Sequence, residues 1–548
     1  MFRMHRRPLP PAPVAGPRVM RAAAVLALAL SLAAAPAALA DPAPGAVEVR
    51  DEAGAPVGTA LTGPDALRLA VARVRTARAD DARPWSLVAG AGTYGDVLID
   101  EPNLTVRPLP GAVVTVSGTG GTADTGGGCI DVRRGGVVLD GLACRTPSRR
   151  GIEVRLASGE GGVVLRNLTV DRPGTDGIAI SGGAGFVIEG GTVTGARGDG
   201  VRLATLTGPG PYTVSGLVVR GAGDDGIDLV DDVQGLQVGG VTIDGARDNG
   251  LESSDSGSSD LLVSGAVVVG SGDQGVALGG GGLRLAVVDS AIGGSGEYAV
   301  DLGRGSGFRL SGLRLDGSDR DGGIRFSSDF RAGGAYERLD LGGSLVDLPG
   351  EPRGVVVSAV PVARRAALPA APEGFTGLAR YVAVKDAGRA SGSAVTLRFP
   401  LSDADRAGVR VSRLAVFEDD PPANGGGWER MAATLVDAAG NARLALADRD
   451  IASGSDARTA VYALFAPPAS APEVEGVFPR EGATARGRDV LVAARVRDDD
   501  PLSTGSFALT IDGRRRGGVS YRAGVVRFRV AGLAPGRRTA RLTVVDPK

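Results

Sequence analysis

A repeat of about 24 residues governs the middle of this sequence, and a fixed period of this size predicts a solenoid, in which each repeat is one coil stacked on the next. Its signature is a small residue followed by an aliphatic residue, and its best copy is the stretch GAGDDGIDL at 221–229. This period restricts the folds open to the chain. The small residues are Gly151, Gly177, Gly200, Gly226, Gly250, Gly275, Ala299 and Gly323.

The content of each period identifies the type of solenoid. Two or three short strands separated by glycine-rich turns predict a right-handed parallel β-helix, whereas a leucine-rich repeat would need regular Leu-x-x-Leu-x-Leu positions that this sequence lacks. Because side chains alternate across a strand, the aliphatic residue is predicted to point inwards and the next residue outwards. The predicted outward column is Asp131, Glu153, Ala179, Arg202, Asp228, Glu252, Ala277, Asp301 and Arg325.

The sequence on either side of the repeat predicts an all-β protein with a capped β-helix and two β-sandwich domains. Leu67, Val71 and Val74 stand at helical spacing after Thr62, a suitable N-cap, so we expect an amphipathic helix that caps the open end of the solenoid. The predicted organisation is a linker at 41–61, the β-helix at 62–362, a linker at 363–377, and β-sandwiches at 378–467 and 473–548.

The segment 1–40 has the three parts of a secretory signal peptide. A basic stretch precedes an apolar run, and Ala38-Leu39-Ala40 provides a cleavage site. A signal of ordinary length already begins at Met20, so Met1 and Met20 are both candidate starts. The signal peptide predicts a secreted protein. Cleavage near Ala40 would leave 56 basic and 62 acidic residues, a formal charge of −6, and this charge argues against a nucleic-acid partner. No later apolar run is long enough to span a bilayer.

Few residue types remain for catalysis after export. The only histidine, His5, lies in the predicted signal peptide, which excludes Ser-His-Asp and Cys-His mechanisms and histidine zinc sites in the mature chain. The lysines, Lys385 and Lys548, lie outside the repeat. Cys129 and Cys144 are the two cysteines of the chain, and export predicts a disulfide between them. Two buried thiols in neighbouring strands are the alternative.

Acidic residues concentrate where the repeat is most regular. Stacked coils would bring carboxylates from neighbouring repeats within reach of one another, and an all-oxygen cluster of this kind favours calcium. A simpler interpretation stays open, because Asp and Asn before Gly are ordinary turn residues that could form only a ladder of turns. The acids are Asp199, then Asp224, Asp225 and Asp228, then Asp248 and Glu252 in three successive coils, and the ladder would comprise Asp176, Asp199, Asp225 and Asn249.

The motif GDDGID at 223–228, with Asp199 one coil earlier and GVALGG at 275–280 two coils later, is similar to the core of the family-nine pectate lyases. That family folds as a right-handed parallel β-helix, and its base is a lysine in the later Gly-x-Lys-Leu-Gly segment. Here Ala277 occupies the position of that lysine. The resemblance implies an acidic polysaccharide as partner and a calcium site formed by Asp199, Asp224, Asp225 and Asp228.

Three alternatives remain for the chemistry of this face. Arg202 or Arg284 could replace the missing base in a β-elimination, although a protonated Arg202 would instead form a salt bridge with Asp228. A glycoside hydrolase could use Asp225 together with Asp248 or Glu252 as its pair of carboxyl groups. If the protein is not a hydrolase, Asp248 and Glu252 are expected to contact the substrate.

The C-terminal segment 474–546 resembles the immunoglobulin-like modules of many exported bacterial proteins, which position or attach a neighbouring domain. We therefore expect an exported monomer that binds, and in one interpretation cleaves, an acidic polysaccharide with the help of Ca²⁺. The alternative is a non-catalytic surface or matrix protein whose solenoid is an adhesive or structural platform. The low aromatic content, 4% of residues, slightly favours this alternative, because few rings are available to stack on sugars.

Overall fold

The computed structural model describes most of the chain after the predicted signal peptide, which lies outside the described residues. By their contacts these residues form two compact units, one of 41–402 with 413–466 and one of 403–412 with 467–544. The described residues are 41–78, 82–117, 128–145, 148–253, 257–316, 323–329, 334–350, 352–386, 395–407, 409–420, 427–432, 434–438, 440–446, 459–468, 472–498 and 502–544.

The first unit contains a parallel β-helix of about nine coils, as predicted. The chain passes in each coil through three rows of short strands, and the strands of a row pair in parallel between neighbouring coils. The last strand of the third row, Ser344–Val346, is an exception and pairs antiparallel with Leu339–Leu341. The right-handed sense of the coil stays a prediction. Helix accounts for only about 6% of the chain, and none of the described helices is long and apolar enough to cross a bilayer.

The first row carries the outward column, and two long strands, Arg150–Arg166 and Ile178–Glu189, continue from it into the second row. The other first-row strands are Val97–Ile99, Gly128–Val132, Val201–Leu206, Ile227–Val233, Leu251–Ser253, Val276–Leu278, Val300–Leu302 and Gly323–Phe326. The other second-row strands are Trp85–Ala89, Leu104–Pro108, Val138–Asp140, Tyr212–Ser215, Leu236–Gly239, Leu262–Ser264, Ala286–Val288, Arg309–Ser311 and Ala335–Glu337.

The third row is a separate 12-stranded sheet. Its strands are Gly92–Gly95, Val114–Ser117, Leu142–Arg145, Thr169–Asp171, Thr192–Thr194, Val218–Arg220, Thr242–Asp244, Val267–Val269, Ala291–Gly293, Arg314–Asp316, Leu339–Leu341 and Ser344–Val346. A disulfide joins Cys129 of the first row to Cys144 of the third row, with Cα atoms 6.2 Å apart. A short parallel pair, Gly282–Leu283 with Gly305–Ser306, lies outside the three rows.

A corner with left-handed backbone separates the second row from the third. In one coil, Gly216 has a φ angle of 61° between the strands Tyr212–Ser215 and Val218–Arg220. Glycine adopts this conformation without the penalty that a Cβ brings. Segments such as 212–218 and 236–243, which the alternating pattern predicts as single strands, are therefore two strands on different faces. The corner is hidden in the sequence because its apolar residue, Leu217, is as buried as the strand residues.

The small residue at the start of each first-row strand is required for packing. Val201, Ile227 and Leu251 stack in register inside the coils, as predicted. Gly226, before one of them, has no left-handed φ, but an added Cβ would lie 2.3 Å from Cγ2 of Ile243 and 2.4 Å from the carbonyl oxygen of Gly250. A glycine at this place is expected to permit a turn, but the turn here does not require one. It is required because a third-row side chain and the next coil leave no room for a Cβ.

The start of the described chain differs from the prediction in two respects. The predicted linker at 41–61 contains the strand Ala46–Arg50, which pairs antiparallel with Trp85–Ala89 and with Leu61–Thr62. The helix covers Ala66–Ala77 and its N-cap is Asp65. The predicted N-cap Thr62 is wrong, because this residue pairs with Ala46 instead. The helix buries Leu67, Val71 and Val74 as expected and contacts the first strands, and its role as a cap stays a prediction.

Antiparallel strands follow the last coil within the same unit. Val355–Ala359 pairs with the first-row strand Gly323–Phe326 and with Thr376–Asp386, so backbone hydrogen bonds connect the β-helix to the next sheet. The predicted linker at 363–377 overlaps the short helix Val362–Ala366 and the start of the second of these strands. The remaining strands are Ala415–Asp420, Gly427–Arg430 and Ala460–Ala466 in this sheet, and Val395–Phe399, Thr434–Val436 and Ala442–Leu446 in a three-stranded sheet.

The second unit contains two antiparallel sheets that share one hydrophobic cluster. Val492 and Phe528 from one sheet and Leu509 and Ile511 from the other are buried in this cluster. The predicted sandwich classes of both C-terminal regions stay predictions. The strands are Glu473–Phe478, Val490–Arg497, Val519–Arg522 and Val525–Val530 in the first sheet, and Phe507–Ile511, Arg514–Arg516 and Ala540–Val544 in the second. Short helical segments cover Asp403–Arg406, Val411–Arg413 and Thr504–Ser506.

Candidate functional site

The predicted outward column is present on the first row of strands. Its members pair in register from Asp131 to Arg325, one per coil. Neighbouring strands lie about 4.8 Å apart, so side chains of successive members can contact each other. Some members are nevertheless buried, because arginines lie against them: Glu153, 1% exposed, accepts hydrogen bonds from Arg150 and Arg155.

A second column, at the residue before each small residue, forms the ladder of turns. Oδ1 of Asp199 accepts a hydrogen bond of 3.2 Å from the backbone N–H of Asp225, whose own Oδ1 accepts one of 2.7 Å from that of Asn249. Asn249 repeats the contact with Gln274 at 3.1 Å. The turn interpretation therefore accounts for one side-chain oxygen of each of these residues.

Arg202 occupies the space between two of the acids. Its Nη1 lies 2.9 Å from Oδ2 of Asp199 and 3.0 Å from Oδ2 of Asp228. A guanidinium held by two carboxylates is stabilised as a cation. The geometry is that of the salt bridge weighed against a role for Arg202 as a base.

One oxygen from each of Asp199, Asp225 and Asp228 lies within 4.8 Å of the others. Burial, with the nearby charge of Asp199, raises the pKa of Asp228 to about 7. Three of the four calcium ligands that the resemblance implies thus lie together. Asp224 is not part of this group, because it is exposed. Its backbone oxygen accepts hydrogen bonds from the backbone N–H groups of Arg247 and Asp248.

A second group of acids lies one coil further along. Oxygens of Asp225, Asp248 and Glu252 are within 4.8 Å of one another. Burial and a hydrogen bond shared with Glu252 raise the pKa of Asp225 to about 9. Burial and a hydrogen bond with Asp273 raise the pKa of Asp248 to about 6. We call Asp199, Asp225, Asp228, Asp248 and Glu252 the acidic cluster.

The two groups differ in how their charge is compensated. Arg202 neutralises part of the first group. In the described part of the chain no arginine forms an ion pair with Asp225 or Asp248. The sequence placed Asp248 and Glu252 among the substrate contacts and, in the hydrolase alternative, paired one of them with Asp225. The structure brings oxygens of all three residues together. The second group is therefore the one whose chemistry suits an added cation, because it offers carboxyl oxygens and a cation could take the place of the protons that they hold.

Arg284, the other candidate base, lies outside the acidic cluster. It precedes the second-row strand Ala286–Val288 and makes a two-pronged ion pair with Asp260, with Nε–Oδ1 and Nη2–Oδ2 distances of 2.6 and 2.7 Å. Both side chains are exposed. The structure therefore does not bring Arg284 together with the other predicted site residues.

A shallow depression adjoins the acidic cluster at Ala277, which pairs in register with Glu252 on one side and Asp301 on the other. Arg325 donates hydrogen bonds from Nε and Nη2 to the two carboxylate oxygens of Asp301. Its guanidinium lies over the ring of Tyr298, 5.0 Å from the centroid. The depression has a volume of about 390 Å³ and is lined by Ala277, Leu278, Gly279, Gly280, Asp301, Gly303, Arg304 and Arg325. Sequence reasoning missed Arg304, because this residue lies outside the repeating columns.

The fold and the acidic cluster define the protein as a parallel β-helix with an acid-rich face. No protein-family model matches the chain, and no curated protein sequence matches it. The resemblances to pectate lyases and to immunoglobulin-like modules therefore stay expectations.

Several solved structures match at low similarity. Tailspike protein 2 of Escherichia coli O157:H7 bacteriophage CAB120 is 10% identical with a TM-score of 0.34, and the match covers 81% of this chain and 64% of the tailspike. The Azotobacter vinelandii mannuronan C-5 epimerase AlgE4 A-module is 16% identical with a TM-score of 0.31, and the match covers 50% of this chain and 90% of the A-module. A double mutant of the periplasmic alginate epimerase AlgG is 10% identical with a TM-score of 0.23, and the match covers 47% of this chain and 74% of the epimerase. Likenesses this weak carry no argument about function.

Proposed function

We propose that this protein is exported and binds an acidic polysaccharide through a divalent cation held by the acidic cluster, without cleaving the polymer. The observation that carries the proposal is the approach of Asp225, Asp248 and Glu252 to within 4.8 Å of one another. Carboxylates this close repel unless a proton or a cation lies between them. A cation at this place would replace the protons and leave part of its coordination shell open to a ligand.

Calcium suits this group better than other common metals. The donors are all carboxylate oxygens from different coils, and calcium accepts six to eight oxygen ligands in irregular arrangements. The resemblance implies a ligand set with Asp224. We propose Asp225, Asp248 and Glu252 instead, because Arg202 already neutralises the neighbouring group. Carboxylates of a uronate polymer and water would complete the shell.

The proposal excludes β-elimination because no suitable base faces the cluster among the described residues. Ala277 stands where the resemblance implies lysine, and it is 4% exposed. Arg202 is held as a cation by two acids, and Arg284 pairs with Asp260 next to the second row of strands. A bound polymer would therefore keep its α-protons.

Hydrolysis by a carboxyl pair is also disfavoured. The raised pKa of Asp225 is a property that a general acid needs. However, Asp225 is only 5% exposed, and its Oδ1 already accepts the Asn249 N–H. A general acid must reach the glycosidic oxygen within hydrogen-bonding distance, and this side chain is buried and already bonded to the next coil.

A second function, a structural or adhesive platform without any ligand at the cluster, is favoured by one observation. The ladder gives Asp199, Asp225 and Asn249 a structural role in the turns, which they perform without a cation. The two functions differ in whether calcium stabilises the folded chain and whether it promotes binding of a polymer.

The test uses the full chain with polygalacturonate, alginate and the neutral polymer dextran, each with calcium or with EDTA. We expect calcium to raise the melting temperature and to promote binding of the two uronate polymers only. Asp225→Asn combined with Glu252→Gln should abolish both effects. Asp316→Asn, on a half-exposed third-row acid, is the matched control.

Two results would contradict the proposal. Unchanged melting and binding with calcium would leave the platform as the function. Release of unsaturated uronates, detected by their ultraviolet absorbance, would show that the chain is a lyase after all.

A further inference from the structure

We propose that the depression at Ala277 is an anion subsite, in which Arg304 binds a carboxylate of the polysaccharide. This inference rests on the proposed binding of an acidic polymer and adds a direct, metal-independent contact to it. The subsite lies beside the acidic cluster, since Ala277 is the next member of the outward column after Glu252.

The size and lining of the depression suit a sugar unit. Its volume of about 390 Å³ lies within the roughly 300–1,000 Å³ of small-molecule sites. Ala277, Gly279, Gly280 and Gly303 line it, and residues with so little side chain let a ligand approach the backbone closely. A second depression of about 330 Å³ adjoins Gly281 and Leu283, and Arg304 lines both.

Charge pairing distinguishes the two arginines of the depression. Arg325 is occupied, because it binds Asp301 through two hydrogen bonds and covers the ring of Tyr298. Arg304 is exposed, and among the described residues no carboxylate pairs with its guanidinium. Asp301 is therefore neutralised by Arg325, and the charge of Arg304 is available to a ligand.

The chemistry of Arg304 selects a carboxylate. A guanidinium presents a planar fork of donors that matches the two oxygens of a carboxylate, and it remains charged at any physiological pH. A methyl-esterified uronate lacks both the charge and the second equivalent oxygen. Discrimination between the acid and its ester is therefore the property that this subsite should confer.

The position of the subsite agrees with a polymer that lies along the column. Coils are stacked about 4.8 Å apart, so the acidic cluster and the depression are separated by roughly one or two coils, about 5–10 Å. A uronate chain carries a carboxylate on each sugar, so one can meet a cation at Glu252 while a following one meets Arg304. The cation and the arginine would thus recognise the same repeating group.

The experiment is a titration of the full chain with trigalacturonate and with its fully methyl-esterified form, in EDTA and again in calcium. We expect wild-type protein in EDTA to bind the acid about tenfold more tightly than the ester, which is the size of one charged hydrogen-bonded contact. Arg304→Gln should remove this preference. Arg309→Gln is the matched control, because Arg309 is an exposed arginine on a second-row strand nearby in sequence.

The outcomes separate this inference from the proposed function. Equal affinity for acid and ester in wild-type protein, or an unchanged preference in Arg304→Gln, overturns the subsite, and calcium-dependent polymer binding would still support the proposed function. A preference that depends on Arg304 while calcium has no effect supports the subsite and contradicts the role of the cation. A loss of preference in Arg309→Gln as large as in Arg304→Gln would also overturn the subsite, since the effect would then be one of net charge.

Discussion

The backbone N–H of Asn249 donates a hydrogen bond of 2.7 Å to Oδ1 of Asp225 in the preceding coil. Asn249 accepts the equivalent bond from Gln274 through its own side-chain amide oxygen. An amide therefore serves the ladder as well as a carboxylate does. The contact explains why a side-chain oxygen is needed at position 225, and it does not explain why that oxygen belongs to a carboxyl group.

Substitution at Asp225 should separate these two properties. Asp225→Ala leaves the N–H of Asn249, which is 4% exposed as a residue, without its acceptor, and we expect a loss of about 1–3 kcal/mol in the free energy of unfolding. Asp225→Asn keeps the acceptor and should not show this loss. Thermal and denaturant unfolding of the two variants measure the difference. Equal destabilisation by both would contradict the ladder as the source of stability.

Stability should fall as the pH rises in the absence of divalent cations. Burial raises the pKa of Asp225 to about 9 and that of Asp228 to about 7, from a usual value of 3.8. The folded chain then keeps protons that the unfolded chain has released, so the free energy of unfolding decreases between about pH 4 and pH 9.

Melting temperatures across this pH range in EDTA test that dependence. Asp225→Asn should show a shallower decrease, because the amide has no proton to lose, and calcium should restore stability most at the alkaline end. A wild-type profile that rises with pH would show that the folded chain does not hold these protons.

Calcium ligation should depend on Glu252 and not on Asp224. Asp224 is exposed and lies outside both groups of acids, so Asp224→Asn should keep the calcium-induced rise in melting temperature. Glu252→Gln should reduce that rise by at least half, since stabilisation follows the affinity of the folded state for the ion. The opposite result, with the response lost only in Asp224→Asn, would favour the ligand set that the pectate lyase resemblance implies.

Gly226→Ala should destabilise the β-helix by about 1–3 kcal/mol or more, the usual cost of overpacking. The added Cβ would meet Ile243 and the backbone of Gly250 at less than 2.5 Å. Gly239→Ala is the control, because the nearest atom to a Cβ there is Oγ of Ser264 at 3.7 Å. Chemical denaturation of both variants measures the difference, and similar losses would argue against packing as the cause.

The disulfide between Cys129 and Cys144 should contribute about 3 kcal/mol, because it closes a loop between positions 15 apart in the unfolded chain. Replacement of both cysteines by serine should lower the melting temperature, and reduction of the wild-type protein should lower it similarly. The double-serine variant itself is the control for the reducing agent, which should not affect it further.

Much of the fold could be predicted from the sequence because the repeat constrains every coil alike. In each copy the residue equivalent to Ile227 must be apolar and point inwards, and the residue equivalent to Asp228 must point outwards. The register of the inward and outward columns therefore follows from the spacing alone. The corner at Gly216 could not be separated from its strands in the same way, because Leu217 continues the apolar pattern across it. The strand Ala46–Arg50 could not be distinguished from a linker in the sequence, since its pairing partner Trp85–Ala89 is distant along the chain.

The sequence by itself determined that acids from neighbouring coils meet on one face, because a regular repeat stacks equivalent positions. Only the tertiary structure decided which acids share a site. Arg202 lies between Asp199 and Asp228, Asp225 faces Asp248 and Glu252, and Asp224 is exposed. The reason is physical: stacking fixes where each Cα lies, whereas the direction of each side chain depends on its hydrogen bonds, its burial and the nearest opposite charge.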